Sequence, residues 1–309
     1  MSVRATAVVF AYHNVGVRCL SVLLAHGVDV QLVLTHEDDP NEHIWFDSVS
    51  SLAARHHLRC ATPKNPNSDE WQQQLQALRP DFIFSFYYRH MLKHELLACA
   101  QRGAYNMHGS LLPKYRGRVP VNWAVLNGER ETGATLHQMV TKPDAGAIAA
   151  QQAVPILPDD TAFDVFQKVT VAAELALDKV LPNILDGSVK LYAQDLSTGS
   201  YFGGRKPEDG RINWQQNAAQ IHNLIRAVAP PYPGAFTLVQ NKLLRVLRSR
   251  VPATQRPRHP GPCLYWDGHS LRADLCDSVL EISAEHDGKL LDEFTWTNLF
   301  GKAPISLPN

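Results

Sequence analysis

AYNMHGSLLPKYRGRVP, residues 104–120, begins as a short extended run and ends in loop chemistry. Asn106 and His108 stand two apart in it, followed by Gly-Ser, a Pro-Lys-Tyr-Arg-Gly-Arg stretch and a second Pro. In an extended chain residues i and i+2 point to the same side, so the amide and the imidazole can face one cleft together. Upstream the chain alternates. Residues 5–12 read as an apolar strand, 16–27 as a helix with a terminal Gly, 29–36 as a strand, 44–57 as a helix and 58–63 as extended. Residues 68–80 read as a helix opened by Ser68 and closed at Pro80, 81–88 as an aromatic strand, and 93–103 as a helix with Gly103 as its stop. Residues 104–109 make the fifth strand. Such alternation predicts an α/β fold with a mostly parallel sheet. Ligands of such sheets bind outside the carboxyl ends of the strands, which is where Asn106 and His108 fall.

Downstream, a long amphipathic helix over 161–187 is expected to close the first domain, with Pro182 breaking its last turns. Residues 196–210 are rich in Gly, Ser and Pro. After them come one helix (about 217–229) and several short strands separated by turn signals, the pattern of a small barrel. The expected division is 1–195, a linker over 196–210, and 211–309.

The 309 residues are 45% hydrophobic and 19% charged, which suits a globular protein with a sizeable core. Thirty basic side chains balance thirty acidic ones, which argues against a large nucleic-acid face. The five cysteines, Cys19, Cys60, Cys99, Cys263 and Cys276, contain no CxxC pair, so neither a disulfide framework nor a thiolate zinc site is indicated. Buried, reduced thiols are expected. The N-terminus lacks the apolar core and cleavage site of a signal peptide, and no run approaches membrane-spanning length. The expected location is the cytoplasm.

No GxGxxG follows the first strand, and there is no GxxxxGK[ST] loop, HExxH or GxSxG elbow. His90 and His94 are spaced as helix neighbours but lack a carboxylate partner, so both read as loop or surface residues and no metal is expected. Ser110 directly follows a Gly after His108, outside any nucleophile turn. Asn106, His108 and a later acid, Asp144 in MVTKPDAGAI, remain as candidates for acid–base and oxyanion work. Each also has a plain reading, as a turn cap, a satisfied core histidine and a turn residue.

NMHGSLLPKYRG with the downstream PDAGAI resembles the 10-formyltetrahydrofolate-dependent formyltransferases, whose active-site signature is an Asn-x-His pair with a later Asp. GSYFGGRKPEDGRINW (199–214) and IRAVAPPYPGAF (225–236) resemble the start of that family's C-terminal domain. The resemblance implies a Rossmann-like formyltransferase domain followed by an OB-like barrel. It implies 10-formyltetrahydrofolate as formyl donor and Asn106, His108 and Asp144 as catalytic residues. The pterin would lie along His90, Met91 and Leu92, with Val140, Thr141, Lys142 and Pro143 closing over it and Arg118 near cofactor or substrate.

VVFAYHNVG, FIFSFYYRHML and NMHGSLLPKYRGRVPVNW are similar to enzymes acting on UDP-4-amino-4-deoxy-L-arabinose in lipid A modification and antibiotic resistance. The bifunctional form of that enzyme continues into a dehydrogenase/decarboxylase domain, so the oxidative step is expected either from another polypeptide or from a longer protein of which this chain is a part. Other nucleotide-linked amino sugars and methionyl-tRNA are the alternative acceptors. The loop THEDDPNEH (35–43) has four acids and no Lys or Arg, which disfavours tRNA. A non-catalytic folate or nucleotide binder on the same fold is the alternative from another class. The expected partners are small molecules and not a membrane, and a homo-oligomer stays open.

In formyl transfer, His108 has the intrinsic pKa to move the amine proton. Asn106 can donate to the oxyanion, where losing a donor costs on the order of 3 kcal/mol. Asp144 either orients His108 and favours its charged form, or takes a proton through water. Which of the two is the formal base stays open.

Overall fold

The computed structural model describes residues 4–40, 42–252 and 256–307. The chain divides into two compact units, each made of three stretches. One takes the chain up to Pro120, Thr132–Val154 and Gln167–Gly203, and the other takes Val121–Glu131, Pro155–Phe166 and everything from Gly204.

The first unit is built on β1 (Thr6–Ala11), β2 (Asp29–Leu34), β3 (Cys60–Ala61), β4 (Phe82–Phe86), β5 (Gly103–His108), β6 (Arg116–Gly117), β7 (Glu131–Gln138), β8 (Ile148–Pro155) and β9 (Tyr201–Phe202). Seven of these form one sheet in the order β3-β2-β1-β4-β5-β7-β8, with β6 pairing β9 apart from it. The pairs from β3 to β5 are parallel, and β5 with β7 is antiparallel. The expected mostly parallel α/β sheet is therefore present. β1 and β4 are apolar and buried nearly throughout, as befits central parallel strands covered on both faces.

The helices before the catalytic segment are α1 (His13–Ala25), α2 (Val49–Arg55), α3 (Asp69–Leu78) and α4 (His94–Leu97). The helix expected over 93–103 is a single turn. The amides of Gln101 and Arg102 instead donate to the carbonyls of Pro80 (2.9 Å) and Asp81 (2.8 Å), so the chain already runs beside β4. Gly103, at φ 148°, opens β5 rather than closing a helix. Ser68 stands at the N-cap of α3, but its side chain makes no capping bond.

Two further helices follow, α5 (Pro120–Leu126) and α6 (Ala162–Asp186), and α6 runs unbroken through Pro182. The missing N–H and the clash at Pro182 cost about 3 kcal/mol. Leu181 and Ile184 beside it are buried, and each such side chain returns roughly 1.5–3 kcal/mol.

The second unit holds α7 (Ala218–Val228), β10 (Ala235–Val239), β11 (Lys242–Arg250), β12 (Cys263–Trp266), β13 (Leu271–Asp274), β14 (Val279–His286), β15 (Lys289–Leu290), α8 (Glu293–Phe300) and β16 (Ile305–Ser306). Its curled sheet runs β10-β11-β14-β13-β12-β16, antiparallel at every pair. The core on it includes Trp214, Ile221, Ile225, Leu264 and Trp296. α7 is capped by Asn217 and Gln220, whose side chains reciprocally bond backbone amides.

All five cysteines are free. Cys19, Cys99 and Cys263 are buried as expected, but Cys60 is only partly covered and Cys276 is exposed, each lying near a strand or turn end. No helix among the described residues is long and apolar enough to cross a membrane.

Candidate active site

Asn106 and His108 lie on one face of β5, and the antiparallel register sets His137 of β7 directly opposite Asn106. β7 ends beside the amino half of β5, so a simple strand-end position would leave Asp144 far from His108. The loop after β7 folds back over the sheet face instead. Gln138 N–H donates to the Ala147 carbonyl (2.8 Å), and Gly146 sits where a Cβ would lie 1.9 Å from the Gln138 oxygen. Asp144 takes φ 52°, a conformation that Asp adopts more readily than most residues. Gln194 Nε2 holds the turn by donating to the carbonyls of Asp144 (2.9 Å) and Gly146 (2.6 Å).

The result is a buried polar network. Asp144 Oδ1 lies 3.6 Å from His108 Nδ1 and 3.5 Å from His137 Nε2. Its Oδ2 accepts the Gly117 N–H at 2.9 Å. His108 Nε2 lies 2.8 Å from the Tyr115 carbonyl. A carbonyl only accepts, so Nε2 carries the hydrogen and Nδ1, facing Asp144, holds the lone pair. By the same argument His137 Nδ1 donates to the Gln138 carbonyl (2.8 Å), which turns Nε2 toward Asn106 Nδ2 at 3.1 Å as its acceptor. The second N–H of that amide remains for another acceptor.

Burial pushes the His108 imidazole below its ordinary pKa, against the opposing pull of Asp144 and the Tyr115 carbonyl. Burial alone would raise Asp144, but His108, His137 and the Gly117 amide together outweigh it and hold the carboxyl down to about 2. Near neutral pH the pair is thus an uncharged imidazole beside a carboxylate.

The loop between the two parts of the signature is rigid for local reasons. Ser110 is fully buried and its hydroxyl donates to the Lys114 carbonyl at 2.7 Å. Thr135 Oγ1 donates to the Ser110 carbonyl (2.6 Å) and accepts from Leu112 N–H (3.2 Å). The segment around residue 200 pins the loop from the other side. β6 pairs β9 in parallel, Tyr115 N–H donates to Ser200 Oγ (2.8 Å), and the Tyr115 ring stacks on Phe202. Gly117 (φ 98°) fits because a Cβ there would come within 2.2 Å of the Phe202 carbonyl oxygen.

Along the carboxyl ends of β1, β2 and β4 lies a cluster of rings. His13 stacks on Phe46 (3.8 Å), and His36 stacks on Tyr88 (4.1 Å) and His90 (5.0 Å). The Arg89 guanidinium lies over the Tyr12 ring (4.7 Å) and forms a bidentate pair with Glu42 at 2.8 and 2.7 Å. Burial lowers His13 to about 3 and His36 to about 4.

The structure therefore brings Asn106, His108 and Asp144 together. Of the other candidates, Met91 and Val140 are 62% and 45% exposed. Leu92 and Pro143 are half-buried, while His90, Thr141 and Lys142 are exposed. Arg118 is exposed, with its backbone N–H on the Phe202 carbonyl (3.0 Å). His94 is exposed at the start of α4. Sequence reasoning missed His137 and Gly117. His137 is one of several polar residues in β7, beside Thr132, Thr135 and Gln138, and its meaning appears only once the β5–β7 register is known.

His259, Cys263 and Asp274 cluster at metal-ligand spacing in the second unit. The Asp274 carboxylate already accepts from Tyr265 O–H (3.0 Å), His259 Nδ1 (2.8 Å) and the amides of Arg258 (2.6 Å) and His259 (2.9 Å).

A family model described as formyl transferase matches residues 19–181, and one described as formyl transferase, C-terminal domain, matches 205–291. Among solved structures, an N-formyltransferase from Helicobacter canadensis in complex with folinic acid and dTDP-3-aminofucose superimposes with TM-score 0.72 at 21% identity, covering 91% of this chain and 98% of that one. A 4-N formyltransferase from Francisella tularensis gives 0.63 at 19%, over 76% and 93%. HypX from Aquifex aeolicus in complex with tetrahydrofolic acid gives 0.63 at 18%, over 95% of this chain and 46% of that one. At these identities the likeness is one of fold. The two family matches, spanning both units, place this chain in the formyl transferase family, as an enzyme of formyl transfer.

Proposed function

We propose that the chain moves the formyl group of 10-formyltetrahydrofolate onto the 4-amino group of a nucleotide-linked amino sugar, UDP-4-amino-4-deoxy-L-arabinose, in lipid A modification. The observation that carries this reading is His108 Nδ1 at 3.6 Å from the Asp144 carboxylate, with Nε2 on the Tyr115 carbonyl and Asn106 on the same strand, opposite His137. The neutral amine attacks the formyl carbon, and its carbonyl becomes an oxyanion that the spare Asn106 N–H stabilises. His108 Nδ1 takes the proton from the attacking nitrogen. The imidazolium so formed pairs with Asp144, which needs no proton of its own. That proton then passes to the folate nitrogen as its bond to carbon breaks, leaving an N-formyl sugar and tetrahydrofolate. His137 acts through Asn106 by fixing the direction of the amide, so it is a positioning residue.

The exposed apolar side chains of Met91 and Val140 support a pterin held between residues 90–92 and 140–143, with Arg118 near cofactor or substrate. The folate and nucleotide-sugar complex of the Helicobacter canadensis structure supports the same pair of ligand classes. The acids of the 35–43 loop are partly spent inside the fold, Glu42 on Arg89 and Asp38 on the Tyr12 hydroxyl (2.8 Å). The case against tRNA therefore rests on that loop's lack of Lys and Arg and on the balanced net charge. Location in the cytoplasm belongs to the same proposal.

The test is formyl transfer from 10-formyltetrahydrofolate to UDP-4-amino-4-deoxy-L-arabinose, with wild type and His108→Ala side by side. Turnover lost in the variant supports donor, acceptor and base together. Turnover only with another amino sugar, or only with methionyl-tRNA, would replace the acceptor.

A further inference from the structure

The His108–Asp144 contact depends on two loops, 109–118 after β5 and 139–147 after β7, joined directly by the Gly117 N–H on Asp144 Oδ2 (2.9 Å). A third stretch, residues 192–202, reaches both, and all three lie in the first unit. It enters antiparallel to the start of β8, where Tyr192 and Ile148 exchange backbone hydrogen bonds of 2.9 and 2.8 Å. Two residues on, Gln194 donates to the carbonyls of Asp144 (2.9 Å) and Gly146 (2.6 Å). Ser200 then meets the other loop three times. Its N–H donates to the Pro113 carbonyl (3.2 Å), its carbonyl accepts from Arg116 N–H (3.0 Å), and its hydroxyl accepts from Tyr115 N–H (2.8 Å). Between these anchors a single 3₁₀ turn, Leu196–Thr198, is capped by the Asp195 carboxylate on Ser197 N–H (3.0 Å), which fixes their spacing locally.

Gln194 carries the heavier constraint. A carbonyl only accepts, so the side-chain amide must present Nε2, and both of its hydrogens are used. Its Oε1 is thereby turned to a side where it is buried without a hydrogen-bond partner in the protein. Such a group lowers stability and calls for an explanation. The explanation lies in the turn it holds. Asp144 keeps a left-handed backbone (φ 52°), which a residue with a side chain adopts only when its surroundings impose it. Remove the amide, and two carbonyls lose a donor while the carboxylate is free to swing away from His108 and His137.

We propose that Gln194 is a positioning residue for formyl transfer. As the head of the 192–202 strap it sets the Asp144 carboxylate against His108. Ser200, at the tail, sets the loop whose Tyr115 carbonyl and Gly117 amide hold those two side chains. Gln194 touches no reacting atom and acts through the backbone of the turn. The inference rests on the roles given above to His108 and Asp144, and not on which amine is formylated.

Nitrogen-15 NMR of the His108 imidazole in the full chain tests it without turnover, the resonance being assigned by its loss in His108→Ala. The ring is faced by Asp144, His137 and the Tyr115 carbonyl. Because Asp144 raises its titration, Gln194→Ala should shift that titration to lower pH, in the direction of Asp144→Asn. Added to Asp144→Asn, the same substitution should shift it no further, the mark of action through that carboxylate. A titration unmoved by Gln194→Ala, or moved again in the double variant, would overturn the assignment. If the alanine variant does not fold, Gln194→Asn draws the same amide back by one bond, about 1.5 Å. It should give the same shift in smaller size, and an unmoved titration there counts equally against the strap. In the transfer assay Gln194→Ala should lower kcat by about 10- to 100-fold, as for a catalytic group displaced by roughly 1 Å, with both KM values nearly unchanged. Full kcat beside an inactive His108→Ala would overturn the strap alone. Full kcat in both variants would take it down together with the reading it rests on. A wild type inactive on every acceptor would count against that functional reading only, and the titrations would still decide this one.

Discussion

Asp144 and Arg226 are both charged and both largely buried, but the protein treats them in opposite ways. Asp144 accepts the Gly117 N–H on one oxygen and has the His108 and His137 rings within 3.6 Å of the other, where a proton taken up by His108 turns the contact into an ion pair. Arg226 is answered by an amide oxygen and a carbonyl. Taking a charge out of water costs several kcal/mol unless partners repay it. The first region therefore carries its compensation within itself and can hold a fixed geometry before substrate arrives. The second keeps its charge on neutral acceptors, with the Asp160 and Asp159 carboxylates attracting it from farther off. A pre-arranged network is what acyl transfer needs, because its groups must face a charge that exists only in the transition state.

The comparison breaks most visibly if the Asp144 network is cut. His108→Ala removes the proton carrier, and a lost general base typically costs 10²–10⁴-fold in rate; kcat should fall by about that much while folding survives. Asp144→Asn should fall in the same range, with the imidazolium left unpaired. Initial rates at saturating substrates check both, and a loss below about tenfold would sink the assigned roles. Gly117→Ala comes next. Its Cβ would collide with the Phe202 carbonyl oxygen, displacing the amide that holds Asp144 Oδ2. Misplacing a catalytic group by 1 Å can cost about 100-fold. The expected signature is lost kcat with near-native folate binding, measured by fluorescence titration.

His137→Ala should have a smaller effect, about tenfold in kcat at nearly unchanged KM, because it frees the Asn106 amide to turn without removing it. His137→Gln, which keeps an acceptor near Nε2, should recover part of the rate. Equal losses in both variants would make His137 structural only.

How much of this was legible in the sequence depends on whether a feature is local. The strand–helix alternation, the i, i+2 pairing of Asn106 and His108 and the helix at about 217–229 follow from neighbouring residues, and they are present. His137 acquires its role through antiparallel pairing with Asn106, and no local pattern announces that register. Gly117 looks like one more turn glycine until Phe202, 85 positions on, closes over it. The over-long helix at 93–103 has the same cause, since the carbonyls of Pro80 and Asp81 compete for the amides that would have continued it. Pro182 errs the other way, where core burial outweighs a local breaker.

The smallest effect concerns protonation, and it probes the balance within the network directly. Burial lowers His108 while Asp144 raises it, and burial is the larger influence. The imidazole should then titrate below 6.5 in the folded chain, so the acid limb of kcat/KM should lie below that pH, with the rate flat above it. In Asp144→Asn the opposing pull is gone, and the titration should move lower still. Nitrogen-15 NMR of the imidazole measures both proteins without requiring turnover. The same shifts act on stability. The unfolded chain protonates His108 near 6.5 and the folded one only lower, so between those values the unfolded state binds more protons and stability falls as pH falls. The slope is at most about 1.4 kcal/mol per pH unit from that one group. Asp144, held to about 2 against an ordinary 3.8, adds a second loss between those two values. Its contribution is complete above the upper value and disappears as the pH approaches the lower. Asp144→Asn should erase this second loss and keep the first. An unshifted His108 in that variant would mean that the carboxylate does not govern the imidazole, and that the two groups merely share a pocket.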